Sequence, residues 1–177
     1  MSEGYVRIGM DHFAVPEDDL AEATARGRLR RNFQGYSTDA PGTLLGLGPS
    51  AIGSLPQGYL QNAAQQLDWR KALDHGALPF ARGLELSAEA RLRAEIIERL
   101  MCDFSVDLGE ICARDGRHPR SLVHEIARLE GFAADGLVEL DGFRVRVTVP
   151  GRLVVRSICA VFDVYFREAE GRHSRAL

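Results

Sequence analysis

What this 177-residue chain has little of narrows its function before any motif is read. It holds three cysteines, Cys102, Cys112 and Cys159, whose spacings of 10 and 47 suit neither a disulfide framework nor a zinc ribbon. An iron–sulfur cluster needs thiolates that converge on one corner, and this spacing does not offer them. Cys102 and Cys159 stand among apolar residues at helical spacing and read as small core side chains. No apolar run approaches the roughly 20 residues that cross a bilayer. The N-terminus shows no charged, apolar and small-residue leader, so a soluble cytoplasmic protein is expected, with no membrane partner. Positive charge is not in excess either. A net charge of −3 and a pI near 6.0 give no overall pull toward nucleic acid or an anionic membrane. Internal repeats and low-complexity tracts are lacking too. With 45% apolar and 27% charged residues, the chain can bury a core as one domain or two small ones.

Tyr5–Gly9 reads as a short strand, apolar at Val6 and Ile8, with Asp11–Ala14 as its exit. Pro16-Glu17-Asp18-Asp19 then opens a helix that runs to about Arg26 and ends on Gly27. Nothing precedes the strand to pair with it, so the chain is expected to start inside a domain. From Arg28 to Gly58 the sequence reads as a Gly-rich loop region with one strand at Thr43–Leu47. Loops at strand ends are where α/β folds keep their binding residues. Gln61–His75 returns to helical spacing, with Gly76 as the stop.

After Pro79 the character changes. Ser87 can cap a helix whose stripe is Leu92, Ile96, Ile97, Leu100, Met101 and Phe104, with Glu95 and Arg99 paired on its outer face. A second helix covers Ile111. A third starts at Pro119 and turns Leu122, Val123, Ile126, Leu129 and Phe132 inward as far as Gly136. Leu137–Leu140 and Phe143–Val147 are strands joined by Asp141-Gly142, a strong hairpin signal. A last helix from Pro150 to Glu168 buries Val154, Ile158, Val161, Phe162 and Tyr165. Three helices, a hairpin and a helix make a winged-helix-like unit.

Several motifs resemble sites. Gly46-x-Gly48-x-x-Ala51 with Asp68 downstream imitates a dinucleotide fingerprint, but Pro49, Gly53, Pro56 and Gly58 interrupt the helix that the pyrophosphate would need. His12 beside Asp11 has the composition of a base and its orienting carboxylate. Neighbours on a strand point to opposite faces, however, so a turn capped by Asp11 explains them equally well. The remaining histidines lack metal-ligand spacing. His118, Arg120, His124 and Arg128 form a mildly basic face where a DNA-reading helix would lie. Glu125 and Glu130 interrupt it, which favours an ordinary solvated surface.

No generic periodicity explains three clusters taken together: Gly9-Met10-Asp11-His12-Phe13-Ala14, Arg31-Asn32-Phe33-Gln34-Gly35-Tyr36, and Leu45-Gly46-Leu47-Gly48-Pro49-Ser50-Ala51-Ile52. In this order they resemble the C-terminal part of the oxygen-independent coproporphyrinogen III oxidases, radical S-adenosylmethionine enzymes of haem (porphyrin) biosynthesis. The family usually carries another small or apolar residue at Pro49. The likeness continues through Leu84–Asp107, Asp135-Gly136-Leu137-Val138, Gly151-Arg152-Leu153 to Phe162-Asp163, and the terminal Ser174-Arg175-Ala176-Leu177.

The resemblance implies an α/β fold: the last strand–helix units of an incomplete radical-SAM-type barrel over residues 1–79. A mainly α, winged-helix-like C-terminal domain follows over 80–177. It implies an oxidoreductase, a coproporphyrinogen dehydrogenase. In that family a [4Fe–4S] cluster cleaves S-adenosylmethionine to a 5′-deoxyadenosyl radical. The radical takes a hydrogen from a propionate β-carbon, and loss of CO2 and an electron leaves a vinyl group. Two rounds convert coproporphyrinogen III to protoporphyrinogen IX. The family's Cys-x3-Cys-x2-Cys cluster motif is not in this sequence. The expectation is therefore a fragment with no catalytic residue and no metal ligand of its own, inactive alone, partnered by the missing N-terminal part of the barrel and by the porphyrinogen. Gln34 and Ile52 match positions that contact or shape the adenosylmethionine pocket. Arg30 and Arg31 are substrate candidates on chemical grounds, since guanidinium suits propionate. Two alternatives stand beside this reading: a winged-helix DNA-binding regulator using Arg120, Arg128, Arg144 and Arg146, and a porphyrin-binding remnant that lost the chemistry.

Overall fold

Ser87 starts the longest helix as its sequence suggests. In the computed structural model, which describes residues 4–166, the Ser87 hydroxyl accepts the Ala90 N–H at 3.1 Å, and helix α3 runs over Ala88–Asp103. It ends on Phe104, held left-handed at φ 56. A bulky residue pays for that conformation, and burial of the ring with Arg152 4.5 Å from its centroid offsets the cost.

The chain then adds strand β8 (Ser105–Asp107), α4 (Leu108–Arg114), a 3-10 turn (Pro119–Leu122) and α5 (Val123–Ala134). Strands β9 (Val138–Asp141) and β10 (Arg144–Val147), a 3-10 turn (Pro150–Val154) and α6 (Val155–Ala160) complete the described part. The Asp141-Gly142 hairpin forms as expected. It is not two-stranded, however: β8 pairs antiparallel with the free side of β10, giving the order β8-β10-β9. Ser105–Asp107 is too short to show alternation, which is why the sequence hid it. Ile96, Leu100, Leu108, Leu129, Val145, Val155, Ile158 and Phe162 form one buried core between this sheet and the helices.

Details of the expected elements shift. Val123 is exposed, because the turn before α5 rotates it outward. The final helix stops at Ala160, and Tyr165 is exposed. The remainder of its expected span, and the terminal Ser174–Leu177, lie outside the described residues. Glu95 and Arg99 do not pair. Glu95 meets Arg114, while Arg99 turns inward to Asp103 (2.6 Å) and to the Leu29 carbonyl (2.8 Å).

The N-terminal half is built from antiparallel pieces. Strand β1 (Val6–Ile8) does find a partner, in β2 (His12–Ala14), so Asp11–Ala14 is a hairpin arm rather than an exit loop. Helix α1 (Asp19–Ala25) is capped by Asp18, whose carboxylate accepts the Leu20 N–H at 2.8 Å. The expected Gly-rich loop region contains two more ladders. One is the hairpin β3 (Arg30–Asn32) and β4 (Gly35–Ser37). The other is the sheet β5 (Ile52–Leu55), β6 (Gly58–Asn62) and β7 (Phe80–Glu85). The strand expected at Thr43–Leu47 is a single bridge, Leu44 to Ser54. Helix α2 covers Gln66–Asp74, later than expected because Gln61 and Asn62 belong to β6. The change of character at Pro79 is not where pairing stops, since β7 is hydrogen-bonded to β6 as far as Glu85. All ladders among the described residues are antiparallel. None of the described helices is long and apolar enough to cross a membrane.

Packing predicts unequal protection. Helix α2 buries no residue and β7 is exposed along its whole length, whereas α3 carries seven buried residues. Hydrogen exchange measured by mass spectrometry is expected to be slow across Leu92–Phe104 and fast across β5–β7 and α2. Uniform protection would contradict this distribution of buried contacts.

Candidate functional site

Tyr36 joins two of the motif clusters. Its hydroxyl accepts the Met10 N–H at 2.9 Å and donates to the Met101 carbonyl at 3.1 Å, so the β1–β2 hairpin, the β3–β4 hairpin and α3 meet on one oxygen. Burial raises its pKa above the usual 10.0, against the lowering effect of the Met10 hydrogen bond. The phenol stays neutral in the fold, so its contribution to stability is full below pH 10 and is lost at higher pH. The ring covers Gly9, lies edge-on to His12 at 5.1 Å, and carries the Arg31 guanidinium 5.6 Å from its centroid. Asp11 and His12 do meet, at 2.8 Å, because Asp11 sits in the turn rather than on the strand. Both side chains are half exposed.

Between the N-terminal sheets and α3 lie two neighbouring clefts of about 430 and 460 Å³ that share Arg31, Asn32, Ser54, Tyr59, Ala94 and Glu98. Phe33 meets Tyr59 edge-on at 5.0 Å in the first, whose far wall includes Ile97, Met101 and Phe162. Of the sequence-predicted residues, Arg31 lines both clefts and Arg30 the second. The two arginines differ. Arg30 is paired to Glu98 at 3.3 Å, while Arg31 has no carboxylate partner among the described residues and gives Glu98 only its backbone N–H, at 3.2 Å. Gln34 lies exposed between β3 and β4, where its backbone N–H and that of Gly35 bond to Asn32 Oδ1. Among the described residues its side-chain amide makes no hydrogen bond. Ile52 is half-buried at the start of β5. Neither Gln34 nor Ile52 lines either cleft.

Sequence reasoning missed three residues that build this region. Glu98 was hidden by its place on the presumed outer face of α3, and Arg99 was assigned to the wrong partner. Asn62 is buried and donates to the Gly46 and Gly48 carbonyls at 3.0 and 2.8 Å. It thereby fixes the Gly-rich loop against β6. Ser50 follows at φ 60 and leads into a strand rather than a helix, so the fingerprint-like spacing at Gly46 has no helix N-terminus to offer a pyrophosphate.

The cysteines are core residues. Burial pushes the Cys102 and Cys159 thiols from the ordinary 9.0 up to about 12. The fold keeps them protonated, so the stability they contribute is present below pH 9.0 and is lost as pH rises toward about 12. Native protein at pH 8 is expected to resist alkylation by iodoacetamide at all three cysteines and to react once unfolded, as counted by intact mass. Rapid native modification would contradict the packing. Three of the arginines that a DNA-binding reading would use have partners within the chain. Arg128 donates to the Val161 carbonyl, Arg144 pairs with Asp107 and Arg146 with Glu139.

Comparison with known proteins finds likenesses over most of the chain. Residues 86–154 match the HemN C-terminal domain family. The chain is 49% identical, over 98% of its length, to the oxygen-independent coproporphyrinogen III oxidase of Bradyrhizobium diazoefficiens, and 45% identical over 92% to that of Pseudomonas aeruginosa. A solved structure of coproporphyrinogen III oxidase (HemN) from Escherichia coli, described as a radical SAM enzyme, superimposes with a TM-score of 0.86 at 38% identity over 92% of the chain. The chain spans 35 to 39% of the length of these relatives and aligns with their C-terminal part.

Proposed function

We propose that this chain is the C-terminal part of an oxygen-independent coproporphyrinogen III oxidase, working in the cytoplasm on the oxidative decarboxylation of two propionates to vinyl groups. The observation that carries the reading is that likeness is not confined to residues 86–154. It covers 98% of the chain, including the hairpins that meet on Tyr36. Residues up to about Glu85 would form the end of the barrel with its active-site loops, and the rest a winged-helix-like cap. The order α3, β8, α4, α5, β9, β10 supports the second assignment, and the packing of α1 against β1 supports the first.

The three thiols do not suit an iron–sulfur cluster. They are buried and held protonated, and no group of three potential ligands occurs among the described residues. In this reading the cluster is held by the part of the relatives that this chain does not span. Gln34 suits adenosylmethionine better: its exposed amide, without a hydrogen bond among the described residues, can accept from or donate to a methionyl or ribose group, and Ile52 offers a branched apolar surface for adenine. Adenosylmethionine, where bound, would supply radical chemistry together with a cluster held outside this chain. The residues of this chain bind and orient. Arg31, without a carboxylate partner among the described residues, presents its guanidinium to a cleft walled by Phe33 and Tyr59, and that combination suits a flat apolar macrocycle with carboxylate arms.

In a full-length oxidase carrying this chain, Gln34→Ala is expected to raise the KM for adenosylmethionine about two- to tenfold, one neutral hydrogen bond being worth roughly 0.5–1.5 kcal/mol. Ile52→Ala is expected to impair adenosylmethionine cleavage while leaving the cluster spectrum intact. Unchanged kinetics in both variants would remove these residues from the cofactor pocket.

A further inference from the structure

We infer that Glu98, on helix α3, is a positioning residue for substrate binding: it fixes the β3–β4 hairpin so that Arg31 presents its guanidinium to the cleft. This rests on the reading that Arg31 meets the substrate.

A hairpin with three residues in each strand does not hold its own shape in water. This one is held from α3. Glu98 Oε1 accepts the Arg31 N–H at 3.2 Å, Glu98 Oε2 accepts the Arg30 guanidinium at 3.3 Å, Arg99 donates to the Leu29 carbonyl at 2.8 Å, and Tyr36 donates to the Met101 carbonyl at 3.1 Å. One carboxylate thereby gives two adjacent arginines different tasks. Arg30 spends its charge on Glu98, and Arg31 gives Glu98 only its backbone. The Arg31 guanidinium is left over the Tyr36 ring without a carboxylate partner among the described residues. Glu98 lines both clefts and would by itself repel a propionate. Arg30 at 3.3 Å and Arg99 at 3.8 Å offset that charge, and Arg31, which lines both clefts, is left to meet an acidic ligand. Glu98 lies within residues 86–154, and its contacts give that domain a part in the chemistry besides covering the site.

The test uses a full-length oxidase carrying this chain as its C-terminal part, with Arg31→Ala, Glu98→Ala, Glu98→Gln and the Arg31→Ala/Glu98→Ala double variant. Glu98→Ala is expected to raise the KM for coproporphyrinogen III about tenfold, with kcat and the iron–sulfur absorbance retained. Glu98→Gln keeps an oxygen for the Arg31 N–H and should recover most of that loss. In the Arg31→Ala background, Glu98→Ala should add less than about twofold, because its effect is exerted through Arg31. A normal Arg31→Ala defect with a silent Glu98→Ala, or two defects that multiply, overturns the positioning role alone. A silent Arg31→Ala overturns the substrate reading beneath it. Hydrogen exchange on the 177-residue chain provides a measurement independent of turnover. The Arg31 amide should exchange faster in Glu98→Ala and not in Glu98→Gln, and equal rates in all three proteins overturn the contact itself.

Discussion

Phe162→Ala is expected to lower the stability of the chain by about 3–5 kcal/mol, the range for removing a buried aromatic from a core that cannot collapse around the space. Phe162 is fully buried in the cluster that joins α3, α6 and the three-stranded sheet, and it also forms the inner wall of the first cleft. Its loss therefore opens a cavity at the seam between the two halves. Urea unfolding followed by circular dichroism measures the change. A loss below about 1 kcal/mol would mean that the core is loosely packed there.

The second large effect belongs to Gly9. It stands at φ 53, and a Cβ built on it would lie 2.2 Å from the Tyr36 ring. Gly9→Ala must pay for a left-handed backbone, about 1–2 kcal/mol, and must also displace the ring. Displacement breaks the hydroxyl's bonds to Met10 and Met101, each worth about 0.5–1.5 kcal/mol. A total near 2–5 kcal/mol is expected if those terms add. Tyr36→Phe keeps the ring and drops only the two hydrogen bonds, so it should cost clearly less. Comparable losses in the two variants would show that the hydroxyl, not the close approach, sets the cost of Gly9→Ala. The same pair explains why two motifs separated in sequence occur together: the first supplies the glycine that the aromatic ring of the second covers.

The C-terminal half was legible because its signals are local. Ser87 caps α3, apolar residues recur at helical spacing, and Asp141-Gly142 turns the hairpin, each within a few residues of the element it specifies. What stayed hidden there was β8, three residues long and identified only by its partner β10. In the N-terminal half, β3–β4 and β5–β6–β7 depend on pairing between short segments rich in glycine and polar residues, for which no alternation is visible. The site was half legible. Arg31 stands in a motif and lines both clefts, whereas Gln34, from the same motif, lines neither. Glu98 looked like one more solvated carboxylate on a helix, and only the approach of the β3–β4 hairpin gives it a role.

The central claim is that this chain completes a coproporphyrinogen III oxidase. The most direct measurement joins it to the N-terminal part of the Bradyrhizobium diazoefficiens relative, which it matches at 49% identity, and assays the purified, cluster-loaded fusion anaerobically with adenosylmethionine and coproporphyrinogen III. The account predicts protoporphyrinogen IX from the fusion and none from the 177-residue chain alone. A fusion that folds, holds its cluster and makes no product, or a lone chain that makes it, would contradict the account.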